Sequence, residues 1–378
     1  MLLQPTPDQE FFRQTTARFL DKEVPAGEIR RLRDDPAGFD RRYWRAGADL
    51  GWTSLLVGED QGGGTISGRG VVDLTLIAHE FGRHAAPGPV VSANVVAAAL
   101  SQAGRDAHRA VLDGLLSGAE IASWCFSEPR PGDRLGHVAV HIRMDGDTVI
   151  LSGVKRPVEA GAQASHLLVT GRSGTGLTQV LVPIDTPGVS VQPLQTVDLT
   201  RRYATVTLDG VRVPASAVVG DAGRADDQVE RQLQLALVML NAESVGAMEA
   251  AFELTVAWAF DRYSFGRPLA SYQALKHRFA DMKMWLEASH AISDAAAAAV
   301  EARSPEAREL VSVAKAYTGQ YGAELVQDCV QLLGGIGVTF EHDLHLFLRR
   351  VTVNRASYGT PGEHRQRIAD LAARREEA

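Results

Sequence analysis

The spacing of apolar residues changes period twice along the 378-residue chain, which divides it into three blocks of different architecture. Up to residue 118 the period is helical. Asp8 is the expected cap of a first helix carrying Phe11, Phe12, Phe19 and Leu20. Phe39, Tyr43, Trp44 and Leu50 mark a second, ended by the Leu50-Gly51-Trp52 turn, and Gly62 to Gly64 break the chain. Leu74, Ile77, Ala78 and Phe81 mark another helix, up to Gly82. From 119 to 220 the period is two. Val138, Val140 and Ile142 alternate with Ala139, His141 and Arg143, and Asp145-Gly146-Asp147 predicts a hairpin. Short runs at 167–169, 180–182, 189–191 and 204–208 extend the pattern into an antiparallel sheet. From 221 the helical period returns. Leu237, Val245, Met248, Phe252, Val256 and Phe260 form one stripe of about seven turns, which Pro268 is expected to end. Leu275 to Leu286 and Leu310 to Leu325 carry two more long helices. The expected class is α+β: an N-terminal helical domain (1–118), a middle antiparallel β domain (119–220) and a C-terminal four-helix bundle (221–378).

Charge and cysteine usage narrow the function classes. The chain has 39 Lys and Arg against 46 Asp and Glu, a net charge of −7, which argues against nucleic acid as a partner. No apolar run reaches the ~18 residues of a membrane span, and the start, MLLQPTPDQEFFRQ, has no secretory pattern. Cys125 and Cys329 are the two cysteines, a count that fits a cytoplasmic protein without a disulfide scaffold. Walker, GxGxxG, GxSxG and HExxH motifs are absent. Glu341, His342, Asp343 and His345 are clustered, but their spacing is not that of a di-iron helix pair. They are expected to form a polar helix start, and no metal is expected.

Two segments point to a ligand. Gly334-Gly335-Ile336-Gly337 follows a predicted helix, and three glycines in four residues suit backbone approached by something flat or charged. Arg262-Tyr263-Ser264-Phe265-Gly266-Arg267-Pro268 puts an Arg at a helix end, where a guanidinium can meet a phosphate. With these residues the whole chain resembles the acyl-CoA dehydrogenases, flavoenzymes that oxidise the Cα–Cβ bond of acyl-CoA thioesters. The strongest points are Arg262-x-x-Phe265-Gly266 with Tyr272-Gln273-Ala274, and Gln331-Leu332-Leu333-Gly334-Gly335-x-Gly337. Ser127-Glu128-Pro129, Leu151-Ser152-Gly153-x-Lys155 and Glu80-x-Gly82-Arg83 are weaker matches. The resemblance implies FAD as cofactor and acyl-CoA as substrate. Arg262 would meet the FAD diphosphate beside Ser264 and Phe265, and Gln273 would face the adenosine. Gln331, Gly334 and Gly335 would hold the FAD of a neighbouring subunit, and Ser127 would lie near the flavin ring. A dimer or tetramer and an electron-transfer partner are also implied.

The family base is a Glu at one of two places, and neither carries an acid here. One corresponds to Tyr358 or, with the alignment anchored on Glu363, to Gly359; the other corresponds to Ala236. Glu243, two turns along the same helix, is the candidate displaced base, against a structural role paired across the bundle; Glu363 is the second candidate. The family's flavin-packing Trp-x-Thr is Pro157-Val158-Glu159, its CoA-binding Arg is Leu237, and the segment after Pro129 is shorter by one residue. The run from Gly337 to Leu346 and the Tyr272 to Arg278 run resemble actinobacterial members, some for sterol side chains, that form heterotetramers in which one subunit type carries the base. Three readings follow: a subunit of a hetero-oligomer whose partner supplies the base, a self-sufficient enzyme using Glu243, and a non-catalytic partner subunit.

Overall fold

A computed structural model describes residues 4–129, 135, 137–174 and 176–376; the shortened segment after Pro129 lies largely outside them. The first part of the chain forms six helices: α1 (Pro7–Glu23), α2 (Ala26–Arg31), α3 (Arg41–Asp49), α4 (Gly70–Arg83), α5 (Val90–Ala103) and α6 (Arg109–Leu116). Eight strands follow: β1 (Ala122–Cys125), β2 (His141–Asp145), β3 (Thr148–Glu159), β4 (His166–Ser173), β5 (Gly176–Pro183), β6 (Val189–Leu194), β7 (Tyr203–Pro214) and β8 (Val218–Val219). Then come α7 (Asp226–Asp261), the two-residue strands β9 (Tyr263–Ser264) and β10 (Arg267–Pro268), α8 (Gln273–Glu301), α9 (Ala307–Leu333), α10 (Leu344–Ala356) and α11 (Pro361–Glu376).

Contacts gather these elements into two compact units. The first takes the chain up to Arg30, Thr75–Ala86, and the chain from Leu237 on. The second takes Arg31–Leu74 and Pro87–Ala236.

In the second unit the sheet runs β6-β7-β3-β2-β4-β5-β8, with β1 beside β4. It is mixed rather than antiparallel as expected, because β1 and β2 both run parallel to β4. Alternation reports a pleated surface with one buried face, and it carries no information on strand direction. The Gly146-Asp147 hairpin forms as expected, with Asp145 opposite Thr148. Helix α5 is tied to β1 by Trp124 N–H, which donates to Ser92 Oγ at 2.7 Å.

In the first unit, the start of α1 is capped by Thr6, not Asp8. Its hydroxyl accepts from Gln9 N–H at 3.2 Å and Gln9 Oε1 accepts from Thr6 N–H at 2.9 Å. This reciprocal pair satisfies two otherwise orphaned donors, which Asp8, already inside the helix, cannot do. From Leu237 to Met248 α7 carries an almost unbroken buried run, and each large apolar side chain there contributes ~1.5–3 kcal/mol. The stripe leaves the core at its far end, where Phe260 is 62% exposed. Pro268 does not end α7. The helix stops at Asp261, and the β9–β10 hairpin follows, turning at Phe265 and Gly266 with φ of +49° and +80°. At the other end of the chain, Arg374 and Arg375 lie in the last turn of α11. By length and composition, α7 is the one helix among the described residues fit to cross a membrane, but 83% of its apolar window is buried inside the protein, as in a core helix.

Candidate functional site

In the first unit, α8 and α9 form an antiparallel hairpin, pinned by an ion pair between Arg278 and Asp328. This brings two segments far apart in sequence to the same end. One is the end of α7 with the β9–β10 hairpin and the start of α8. The other is the end of α9 with the glycine segment. Arg262, Phe265, Gln273, Gln331, Gly334 and Gly335 are all exposed there, and Ser264 is half-exposed.

Local packing fixes the backbone of this end. Leu269 N–H donates to Arg262 O at 2.8 Å, and Tyr272 Oη donates to Ser264 O at 2.7 Å. The Arg267 guanidinium lies 3.9 Å from the Tyr272 ring centre. The Arg262 guanidinium has no side-chain partner among the described residues. Helix α8 begins with no side-chain cap and no acidic residue in its first turn, so its positive dipole end is uncompensated. At Gly334 and Gly335 an added Cβ would meet nothing within 4 Å. Internal packing therefore does not require these glycines. The Gly334 N–H donates to Gln331 O, and the two glycines present exposed backbone without side chains, which together with Arg262 and the α8 N-terminus suits an anionic ligand. Phe265, 97% exposed, and Tyr263 and Val338 add apolar surface at the same end.

The proposed base, Glu243, lies elsewhere in this unit and is fully buried. Helices α4 and α7 cross at two glycines: a Cβ on Gly82 would lie 1.9 Å from Glu243 O, and one on Gly246 2.0 Å from His79 O. Arg350 Nη1, from α10, donates to Glu243 Oε1 at 2.7 Å, and Asn354 Nδ2 donates to Oε2 at 2.9 Å. Arg350 also donates to Ala85 O and Ala86 O, both at 3.0 Å. Both carboxylate oxygens are thus engaged in a buried knot that ties α7 and α10 to the chain just past α4.

The other base positions carry no poised acid. Ala236 is buried on α7. Tyr358 and Gly359, with φ of +50° and +98°, form the turn between α10 and α11. Glu363 is part of a capping box: its Oε2 accepts from Thr360 N–H at 2.7 Å, and Thr360 Oγ1 accepts from Glu363 N–H at 3.3 Å. Burial, with Lys315 and Arg367 nearby, pushes the His364 imidazole down to about 3. Glu341, His342, Asp343 and His345 do not form a ligand cluster: Asp343 pairs with Arg30, His342 Nδ1 accepts from Leu344 N–H at 3.2 Å, and His345 Nε2 meets Phe340 O at 3.1 Å.

In the second unit Ser127 is buried at the exit of β1, where its carbonyl accepts from Arg156 N–H at 2.8 Å. Next to it, Glu128 accepts from buried Lys155 Nζ at 2.7 Å, Ala139 N–H at 2.7 Å and Val140 N–H at 2.9 Å. Burial opposes its charge, but Lys155 and these N–H groups outweigh that and hold its pKa low. Glu159, where the family has a flavin-facing Thr, is ion-paired with Arg201 at 3.0 Å and accepts from Ser92 N–H at 3.2 Å. The pair lines a small surface pocket with Phe39, Pro89 and Thr200. Sequence reading did not find Arg201, Arg350 or Asn354 as partners, since each meets its carboxylate across a long stretch of chain with no motif. Both cysteines are free and buried, their thiols pushed up to about 12 by burial, which rules them out as nucleophiles at neutral pH.

Comparison with known proteins agrees with this architecture. The family model described as acyl-CoA dehydrogenase, N-terminal domain, matches residues 6–119, and that described as acyl-CoA dehydrogenase, C-terminal domain, matches residues 227–372. The acyl-CoA dehydrogenase IpdE2 of Mycolicibacterium smegmatis is 28% identical over 365 residues, 96% of this chain and 97% of that protein. A solved variant of the Tcur3481-Tcur3483 steroid ACAD superposes with a TM-score of 0.89 at 26% identity, covering 98% of this chain and 99% of that one. Butyryl-CoA dehydrogenase from Megasphaera elsdenii shares the fold, with a TM-score of 0.88 at 22% identity, covering 99% of this chain and all of the other. With both domain models together spanning more than half of its residues, the chain belongs to the acyl-CoA dehydrogenases, FAD-dependent oxidoreductases that act on the CH–CH bond of acyl-CoA thioesters.

Proposed function

We propose that this chain is a base-deficient subunit of a hetero-oligomeric acyl-CoA dehydrogenase, in which a homologous partner supplies the catalytic carboxylate. The observation that carries this reading is the knot at Glu243. Its two oxygens are held by Arg350 and Asn354, so this acid is a strut and is not free to take a proton from a thioester. No acid stands at Ala236, Tyr358 or Gly359, and Glu363 caps a helix.

Arg262 would meet the diphosphate of FAD with Ser264 and Phe265 beside it and Gln273 toward the adenosine, and Gln331, Gly334 and Gly335 would hold the FAD of a neighbouring subunit. The open guanidinium and outward-facing glycines fit that group. FAD, when bound, accepts the β hydride of the thioester; the chain's own residues bind and orient. The steroid ACAD, whose name joins two components, supports a bulky acyl-CoA and a two-chain assembly. A cytoplasmic location and an electron-transfer partner belong to the same reading.

The test is to purify the chain alone and together with a homologue that carries Glu at one of the family base positions, and to assay acyl-CoA turnover. Turnover should require the partner, and Arg262→Ala should lower flavin content in the complex. Full turnover by the isolated chain refutes the reading.

A further inference from the structure

Within the first unit, three helices bring His79 (α4), Glu249 (α7) and His290 (α8) together, with one candidate ligand atom of each lying within 4.8 Å of the other two. We propose that this cluster is a binding site for a zinc-class divalent cation, independent of the reading above. Two imidazoles and one carboxylate are a ligand set that such ions take, with a fourth position left for water. Ligand atoms at ~2.0–2.1 Å from a tetrahedral ion lie about 3.3 Å apart. His79 Nε2 is already 3.0 Å from Glu249 Oε2, close to the spacing of two ligand atoms on one ion.

Three further observations point to a ligand here. First, the His79 Nε2 atom is buried and makes no hydrogen bond, although Glu249 is close. Second, the other nitrogen, Nδ1, faces the Glu80 carboxylate at 3.8 Å. Glu80 is itself buried and held by Arg13 Nη1 at 2.5 Å. At this distance the carboxylate acts on the ring through its charge and not through a hydrogen bond. Third, the Gly246–His79 O approach locks α4 against α7 at the level of the ligands, so the site is held in place before the ion arrives.

The surrounding charges are balanced. Arg83 donates to Glu249 Oε2 at 2.8 Å and to Glu253 Oε2 at 2.7 Å, so the ion would share Glu249 Oε2 with Arg83. Lys283 on α8 is paired with Glu287 at 2.6 Å. The ligands come from three separated helices, so no spacing motif announces them. This explains why the sequence led to an expectation of no metal.

The experiment uses the untagged, EDTA-treated and desalted full chain. Zinc is titrated by calorimetry, and cobalt(II) is followed by its visible absorption. One equivalent should bind per chain, with a cobalt spectrum of four-coordinate nitrogen and oxygen ligation. His290→Ala and Glu249→Gln should each weaken zinc at least ~10-fold, and Glu80→Gln ~10- to 100-fold through His79. His141→Ala, on an exposed position of β2, should leave binding unchanged. Circular dichroism in EDTA identifies any variant that fails to fold, in which case the remaining two decide. No zinc binding by the parent chain, or equal affinity in the parent and in folded His290→Ala and Glu249→Gln, overturns the proposal.

Discussion

Removing Arg350 tests whether Glu243 is a strut. In Arg350→Met the Glu243 carboxylate stays fully buried, with Asn354 as its remaining partner in the knot. Stripping one partner from a buried ion pair costs ~3–5 kcal/mol. The Ala85 and Ala86 carbonyls also lose donors at 3.0 Å, so the loss should be at least ~4 kcal/mol. Glu243→Gln should be milder. Its amide oxygen still accepts from Arg350, and its amide nitrogen can donate to Asn354 Oδ1, which has no partner among the described residues. The expected cost is ~1–3 kcal/mol. The double variant separates a charge effect from a packing effect. Neutralising Glu243 in the Arg350→Met background removes the stranded charge, so the double variant should be more stable than Arg350→Met alone by ~1–3 kcal/mol. The assay is urea denaturation followed by far-UV circular dichroism, which reports the helical unit. The reasoning fails if Arg350→Met falls within ~1 kcal/mol of the parent, or if Glu243→Gln adds a further loss to it.

His364 makes a pH prediction. Burial, with Lys315 and Arg367, depresses its folded-state pKa from 6.5 to about 3, so the unfolded chain binds more protons between those values. Its contribution is fully present above pH 6.5 and lost as pH falls toward 3, and His364→Leu should flatten the stability profile relative to the parent across that window by a few kcal/mol. Gly246→Ala places a Cβ 2.0 Å from His79 O and must push α4 from α7. A loss of ~1–3 kcal/mol in urea denaturation is expected, and an unchanged midpoint would show that the crossing is loose.

The period changes made the architecture legible, because helices and strands bury faces at different spacings. The α7 stripe was visible for that reason, although its last turns leave the core at Phe260. The Thr6 capping box was also present in the sequence as Thr6-Pro7-Asp8-Gln9, and Asp8 was the wrong choice because the motif needs both ends. Strand direction was not legible at β1 and β2, since alternation is the same either way. The proposed ligand-facing end was named from local residues, Arg262 and the glycines, because a phosphate site can be built from backbone and one cation. The fate of Glu243 could not be read that way. It depends on Arg350 and Asn354, brought back by the last helices of the unit, and no spacing rule connects them.

The central claim is that no carboxylate of this chain abstracts the substrate proton. The most direct measurement is anaerobic mixing of the isolated, FAD-reconstituted chain with a saturating acyl-CoA that its complex with a partner oxidises, followed at the flavin absorbance band. The account predicts that the band persists with the isolated chain and bleaches once the base-bearing partner is added. Rapid bleaching by the isolated chain, abolished by Glu243→Gln with FAD still bound, would contradict it.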